Sequence, residues 1–112
     1  MEIVFKDLDL KELIMDERKL VHKFGPQVAK AVRQRVAEIL ACLHLAMLKE
    51  LPCGLHPLKH KRKGQFAVDL GPAYRLVFEP ANQPLPRRPD GMVIWDRITI
   101  VRILEIVDYH DE

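Results

Sequence analysis

The sequence predicts an α+β domain ordered β-α-α-β-β-β, with two N-terminal helices on one face of a small, antiparallel-dominated sheet. Three observations carry that expectation. Two apolar stripes at helical spacing follow one another in the first half of the chain. Two alternating runs flank a Gly-Pro-Ala turn at 71–73. A run rich in Ile and Val closes the second half from Ile98 onward.

Each element has its own warrant. Ile3-Val4-Phe5 lies within a short extended run from Glu2 to Lys6 and reads as a first strand. Asp7 or Asp9 can cap the helix that follows, whose stripe is Leu10, Leu13, Ile14, Val21 and Phe24. Gly25-Pro26 ends it, because Gly suits a left-handed C-terminal cap and Pro suits the first turn of the next helix. The second helix carries Val28, Val32, Val36, Ile39, Leu40, Leu43 and Met47, with Lys30, Arg33, Gln34 and Glu38 outward. Leu51-Pro52-Cys53-Gly54 stops it. Gln65 to Leu70 and Tyr74 to Glu79 then form a hairpin, and Pro80 to Gly91, with four prolines, reads as an exposed excursion.

The final strand runs through Ile98-Thr99-Ile100-Val101 to Val107-Asp108-Tyr109-His110. Polar residues recur at every third position (Thr99, Arg102, Glu105, Asp108), but β-branching favours strand over helix. Without a bulge, Arg102, Leu104, Ile106, Asp108 and His110 would share one face, and Val101, Ile103, Glu105, Val107 and Tyr109 the other. A strand ending in Asp-Tyr-His sets three polar groups at the sheet's rim, either as a plain solvated end or as chemistry.

Composition limits the function classes. Residues 1–112 suit a single domain, since domains cluster at roughly 100–150 residues. A hydrophobic fraction of 48% beside 30% charged residues is that of a globular protein. No apolar run is long enough to span a bilayer, and the basic and apolar regions of a signal peptide are absent from Met1 to Asp7, so a cytoplasmic protein with no membrane partner is expected. Cys42 and Cys53 have no patterned spacing and read as reduced thiols. Net charge is +2, but residues 55–88 hold seven Lys/Arg against two acids, which marks the segment able to face phosphates.

No phosphate-binding Gly-rich loop, H-E-x-x-H, paired-Cys zinc spacing or nucleophile elbow is present. His22 and His44 lie near apolar helical stripes and read as structural. His56, His60 and His110 sit at strand ends or in the basic run; a zinc site from them is conceivable, yet nothing fixes their spacing. Lys59-His60-Lys61-Arg62-Lys63 is either a solvated turn or a phosphate surface. Arg75, mid-hairpin, must be paired with an acid such as Glu79 or presented on an open sheet face, and the latter is expected. Lys and Arg donors, imidazoles and a Tyr hydroxyl suit metal-free RNA cleavage by the substrate's own 2′-hydroxyl. That reaction needs a base, an acid for the leaving 5′-oxygen and cations for phosphorane charge, with acid and base help each giving ~10²–10⁴-fold.

The element order, Leu55-His56-Pro57-Leu58-Lys59, Tyr74-Arg75-Leu76-Val77-Phe78 and above all Val107-Asp108-Tyr109-His110 together resemble the HigB-type host-killing toxins. These belong to the RelE/ParE superfamily of type II toxin–antitoxin systems. The resemblance implies a RelE-like fold and a ribosome-dependent mRNA endonuclease needing no cofactor or metal. It further implies inhibition by a HigA-like helix-turn-helix antitoxin, and ribosome and mRNA as the other partners. Residue by residue it implicates His56, Lys59, Arg75, Asp108, Tyr109 and His110 in catalysis, with His110 or His56 as acid or base. Lys59, His60, Lys61, Arg62, Lys63 and Arg75 become the RNA-binding set. Asp69 and Gly71 depart from the family pattern, which often has a basic residue and Asn at those places, and the Pro80–Gly91 excursion is longer than in small members. The alternatives are a ParE-like gyrase inhibitor with no enzymatic activity, and an inactive homologue that keeps only its antitoxin interface.

Overall fold

The computed structural model describes residues 1–108. In it five strands form one sheet in the order β1-β5-β4-β3-β2. They are β1 (Glu2–Phe5), β2 (His56–Pro57), β3 (Phe66–Asp69), β4 (Tyr74–Pro80) and β5 (Ile100–Asp108). β1 runs parallel to β5, and every other pairing is antiparallel. Four helices, α1 (Leu8–Met15), α2 (Glu17–Phe24), α3 (Pro26–Ala41) and α4 (Leu45–Lys49), lie between β1 and β2.

The helical half corrects the two-helix expectation. The first stripe is broken at Asp16, which takes an extended conformation (φ −116°, ψ 106°) and caps α2 by accepting the Lys19 N–H at 3.2 Å. A carboxylate at an N-terminal cap satisfies a donor that the first helical turn leaves orphaned. The second stripe breaks too. α3 ends at Ala41, Cys42 turns extended, and Leu45 N–H donates to the Ile98 carbonyl before α4 begins. Leu43 and Met47, assigned to a buried stripe, are consequently exposed, and so is Leu40 in the last turn of α3. A further correction to the element order is β2, a two-residue strand the β-α-α-β-β-β order lacks. It pairs His56 with Ala67 and Pro57 with Phe66.

The sheet's two faces are unequal. Phe66, Val68, Leu76, Phe78, Val101 and Ile103 point to the helical layer and join Leu20, Val32, Ile39, Leu45 and Leu48 in one core. Each such fully buried side chain contributes roughly 1.5–3 kcal/mol, which fixes the helices on that face. The opposite face presents cross-strand rows instead. Ala67, Val77 and Glu105 make one row beginning at His56, and Asp69, Arg75 and Val107 make the next.

The bulge-free phase of the last strand does not hold. Val77 pairs with Glu105 and Phe78 with Ile103, so Leu104 is the extra residue of a bulge. Val101, Ile103 and Ile106 therefore point to the core side, while Arg102, Glu105 and Val107 share the open face. The Pro80–Gly91 excursion is largely exposed, as expected, and the residues after it lead back to the core. Arg87 bridges Val93 in an antiparallel turn, and Leu85, Val93 and Trp95 pack on the core, Trp95 edge-on to Phe66 at 5.0 Å.

Candidate functional site

The sheet's open face carries a crevice of about 880 Å³, walled on one side by Lys59 to Arg62 and on the other by Glu105, Val107 and Asp108. Its construction follows from local chain chemistry. Pro57 ends β2, and residues 60–62 wind into one turn of 3₁₀ helix. His60 takes φ +56° there, an uncommon setting for a residue with a Cβ. Leu58 N–H donates to the Gln65 carbonyl and Gln65 N–H to that of Arg62, so the turn closes on itself.

Arg62 ties this turn to the far side of the face. One guanidinium nitrogen donates to Gln65 Oε1 at 2.7 Å and another to Glu105 Oε1 at 2.6 Å. Since β2 and β5 are three strand spacings apart, roughly 14 Å, the basic turn must lean over β3 and β4 to make that contact. Ala67 and Val77 in the row beneath are small and fully buried although they face away from the helices. Lys59, His60 and Lys61 stay exposed along the crevice wall.

A second cluster lies alongside. Asp69 Oδ1 stands 3.0 Å from Arg75 Nε, across β3 and β4. Arg75 also donates to the Tyr74 carbonyl at 2.9 Å and the Gly71 carbonyl at 3.2 Å, and its side chain is only 14% exposed. Gly54 sits against the Asp69 carboxylate at φ +69°; a Cβ there would collide with it. Asp69 is anchored further by its N–H to the Cys53 carbonyl (2.8 Å) and by Arg35 Nε to its own carbonyl (2.7 Å).

These contacts place the sequence-expected residues. Lys59, His60, Lys61, Arg62 and Asp108 line the crevice; Lys63 is exposed beside it. Arg75 lies on the same face opposite Val107, and its acid is Asp69, since Glu79 pairs with Arg102 at 2.8 Å. His56 stands three strands away from Glu105 in the row through Ala67 and Val77. Its Nδ1 is 2.9 Å from the Gly54 carbonyl; that oxygen only accepts, so Nδ1 is the donor of this hydrogen bond. Tyr109 and His110 lie outside the described residues. Glu105 was not anticipated, and the cue was a lone acid in a run of Ile, Leu and Val. Among the described residues, no three His, Cys, Asp or Glu side chains gather as a metal would require, and no helix is long and apolar enough to cross a membrane.

The thiols lie away from this face. Burial pushes the Cys42 and Cys53 thiols above their ordinary value. For Cys53 the Leu55 N–H and the Arg35 charge oppose that rise without cancelling it. Asp90, at the tip of the 80–97 excursion, is held below the usual carboxylate range by its hydrogen bond from Arg88 and then by the Met92 N–H.

The described residues thus form a two-layer α+β domain with a cationic crevice on its open sheet face. No protein-family model and no curated protein matches it. Among solved structures, the YoeB/ParE toxin from Agrobacterium tumefaciens superposes with a TM-score of 0.58 over 97% of this chain and 99% of that chain. The two sequences are 8% identical, so what they share is the fold.

Proposed function

We propose that this protein is the toxin of a type II toxin–antitoxin system, a HigB-like member of the RelE/ParE superfamily, cutting mRNA on the ribosome. The observation that carries the reading is the crevice, which brings Lys59, His60 and Lys61 to the end of β5 on the uncovered face of a toxin-like fold. A single RNA strand threaded there would meet cations on one wall and the β5 end on the other.

In this mechanism the 2′-oxygen attacks phosphorus as the bond to the 5′-oxygen breaks. The hydroxyl proton passes to a base, and a second proton reaches the leaving 5′-oxygen, giving a 2′,3′-cyclic phosphate and a 5′-hydroxyl. Lys59 and Lys61 stabilise the charge building on the phosphate oxygens. His110 serves as acid or base and His56 is the competing candidate, imidazole being the side chain that can give or take a proton in such a reaction. Asp108 orients a neighbour, Tyr109 stacks or hydrogen-bonds, and Arg75 adds charge from beside the crevice. DNA lacks the 2′-hydroxyl, so it is not a substrate. A HigA-like helix-turn-helix antitoxin holds the toxin inactive in the cytoplasm.

A reporter mRNA translated by purified ribosomes tests this. The expected result is codon-phased cutting whose downstream fragments accept phosphate at the 5′ end without prior dephosphorylation. A 2′-deoxy nucleotide at the cut site should abolish it. Intact message, or gyrase-trapped DNA breaks beside intact RNA, would overturn the reading.

A further inference from the structure

The proposed RNA-binding set treats every cation of the basic turn alike, but the geometry separates Arg62 from the rest. We infer that Glu105 is a positioning residue. Through Arg62 it pins the basic turn above β5, so that Lys59 and Lys61, not Arg62, engage RNA phosphates. The inference rests on the mRNA-cutting reading and deepens it.

Both guanidinium nitrogens that Arg62 directs at side chains are committed, to Gln65 Oε1 and to Glu105 Oε1. The ion pair joins residues 43 apart in sequence and is partly shielded, with side-chain exposures of 34% and 40%. A guanidinium held this way by a carboxylate has its charge compensated before any phosphate arrives. Lys59 and Lys61 are exposed on the crevice wall, and among the described residues neither forms an ion pair. The turn itself has little regular structure to hold it: three 3₁₀ residues, one of them at positive φ. Among the described residues, its own closing hydrogen bonds and the Arg62–Glu105 bridge across the sheet hold it in place. Without Glu105, the two lysines would sample a wider volume and meet a phosphate less often in register.

The test is fluorescence anisotropy with a short single-stranded RNA oligonucleotide, titrated with salt, on the full chain and its variants. Glu105→Gln and Arg62→Gln should each weaken binding about fivefold. The double variant should be no worse than either single one, because both remove the same bridge. The charge reversal R62E/E105R should recover most of the loss. In the salt series, Arg62→Gln should keep the wild-type slope, whereas Lys59→Gln should flatten it by roughly 0.7, the share of one single-strand phosphate contact. Tighter binding by Glu105→Gln would mean that it released a phosphate ligand, and would overturn the inference while the mRNA-cutting reading stood. A flattened slope for Arg62→Gln would overturn it equally. Wild-type protein that neither binds the oligonucleotide nor cuts message would overturn the functional reading itself. Amide hydrogen exchange gives the check that RNA cannot confound: residues 58–65 should exchange faster in Glu105→Gln and return to wild-type rates in the charge reversal, and unchanged rates would overturn the pinning.

Discussion

Asp69 and Arg75 face one another across β3 and β4 with Oδ1 3.0 Å from Nε, so the acid that departs from the toxin pattern is the ion partner of an arginine expected to meet phosphate. Asp69 is 42% exposed and Arg75 14%. The guanidinium is the more enclosed partner and the one that depends on the pair.

Asp69→Ala should accordingly lower stability by about 1 kcal/mol, at the upper end for a pair with one partner this open to solvent. A lower urea midpoint at unchanged slope would show it. An unmoved midpoint would mean that the Gly71 and Tyr74 carbonyls hold Arg75 well enough without the acid.

Gly54→Ala should cost more, about 2 kcal/mol, because a Cβ at φ +69° is strained and would also drive into the Asp69 carboxylate. Combining it with Asp69→Gly removes the collision but leaves the backbone strain. In chemical denaturation the pair should therefore lose less than the sum of the two single changes.

Asp16→Ala removes the cap on α2 and should destabilise by roughly 0.5–1 kcal/mol, part of the cap's worth being offset by alanine's helix propensity. Thermal unfolding measures the loss. Far-ultraviolet dichroism should show no fall in helix content, since the chain around 16 remains long enough for α1 and α2 to join.

Cys53 should resist iodoacetamide in the native protein at pH 8 and react once the chain is unfolded. Its thiol is fully buried, donates to the Leu48 carbonyl at 3.5 Å and titrates above its ordinary value. The sign for stability follows. A group whose folded pKa is raised gives its full contribution below the unfolded value, near ~8.5, and loses it as pH rises through the folded value. Unfolding free energy should thus decline on the alkaline side, and Cys53→Ala should flatten that decline.

The hairpin around Gly71-Pro72-Ala73 and the β-branched last strand were legible because their signals are local: alternation, turn residues and β-branching within a few positions. The break at Asp16 was legible in principle, since Asp followed by an acidic first-turn residue, Glu17, is a helix-start signal, but the stripe running through it masked the stop. β2 had no such signal. Two residues including a proline become a strand only because β3 is there to pair with them. The basic turn was visible as charge, but its place over β5 depends on Arg62 meeting a carboxylate 43 residues later, which no local pattern encodes. The same holds for Asp69, whose partner emerges only once β3 and β4 are in register.

The single additional residue in β5 makes the crevice a matter of parity. Arg102 and Glu105 look the same way only because Leu104 is counted out between Ile103 and Glu105. Deleting Leu104 would leave a regular strand with Glu105 and Val107 still on the open face, whereas one inserted residue that the bulge does not absorb would turn them inward and offer Ile106 to solvent. The stretch is therefore asymmetric in its tolerance of length: a chain lacking Leu104 should still fold, whereas one with a residue added beside it should not.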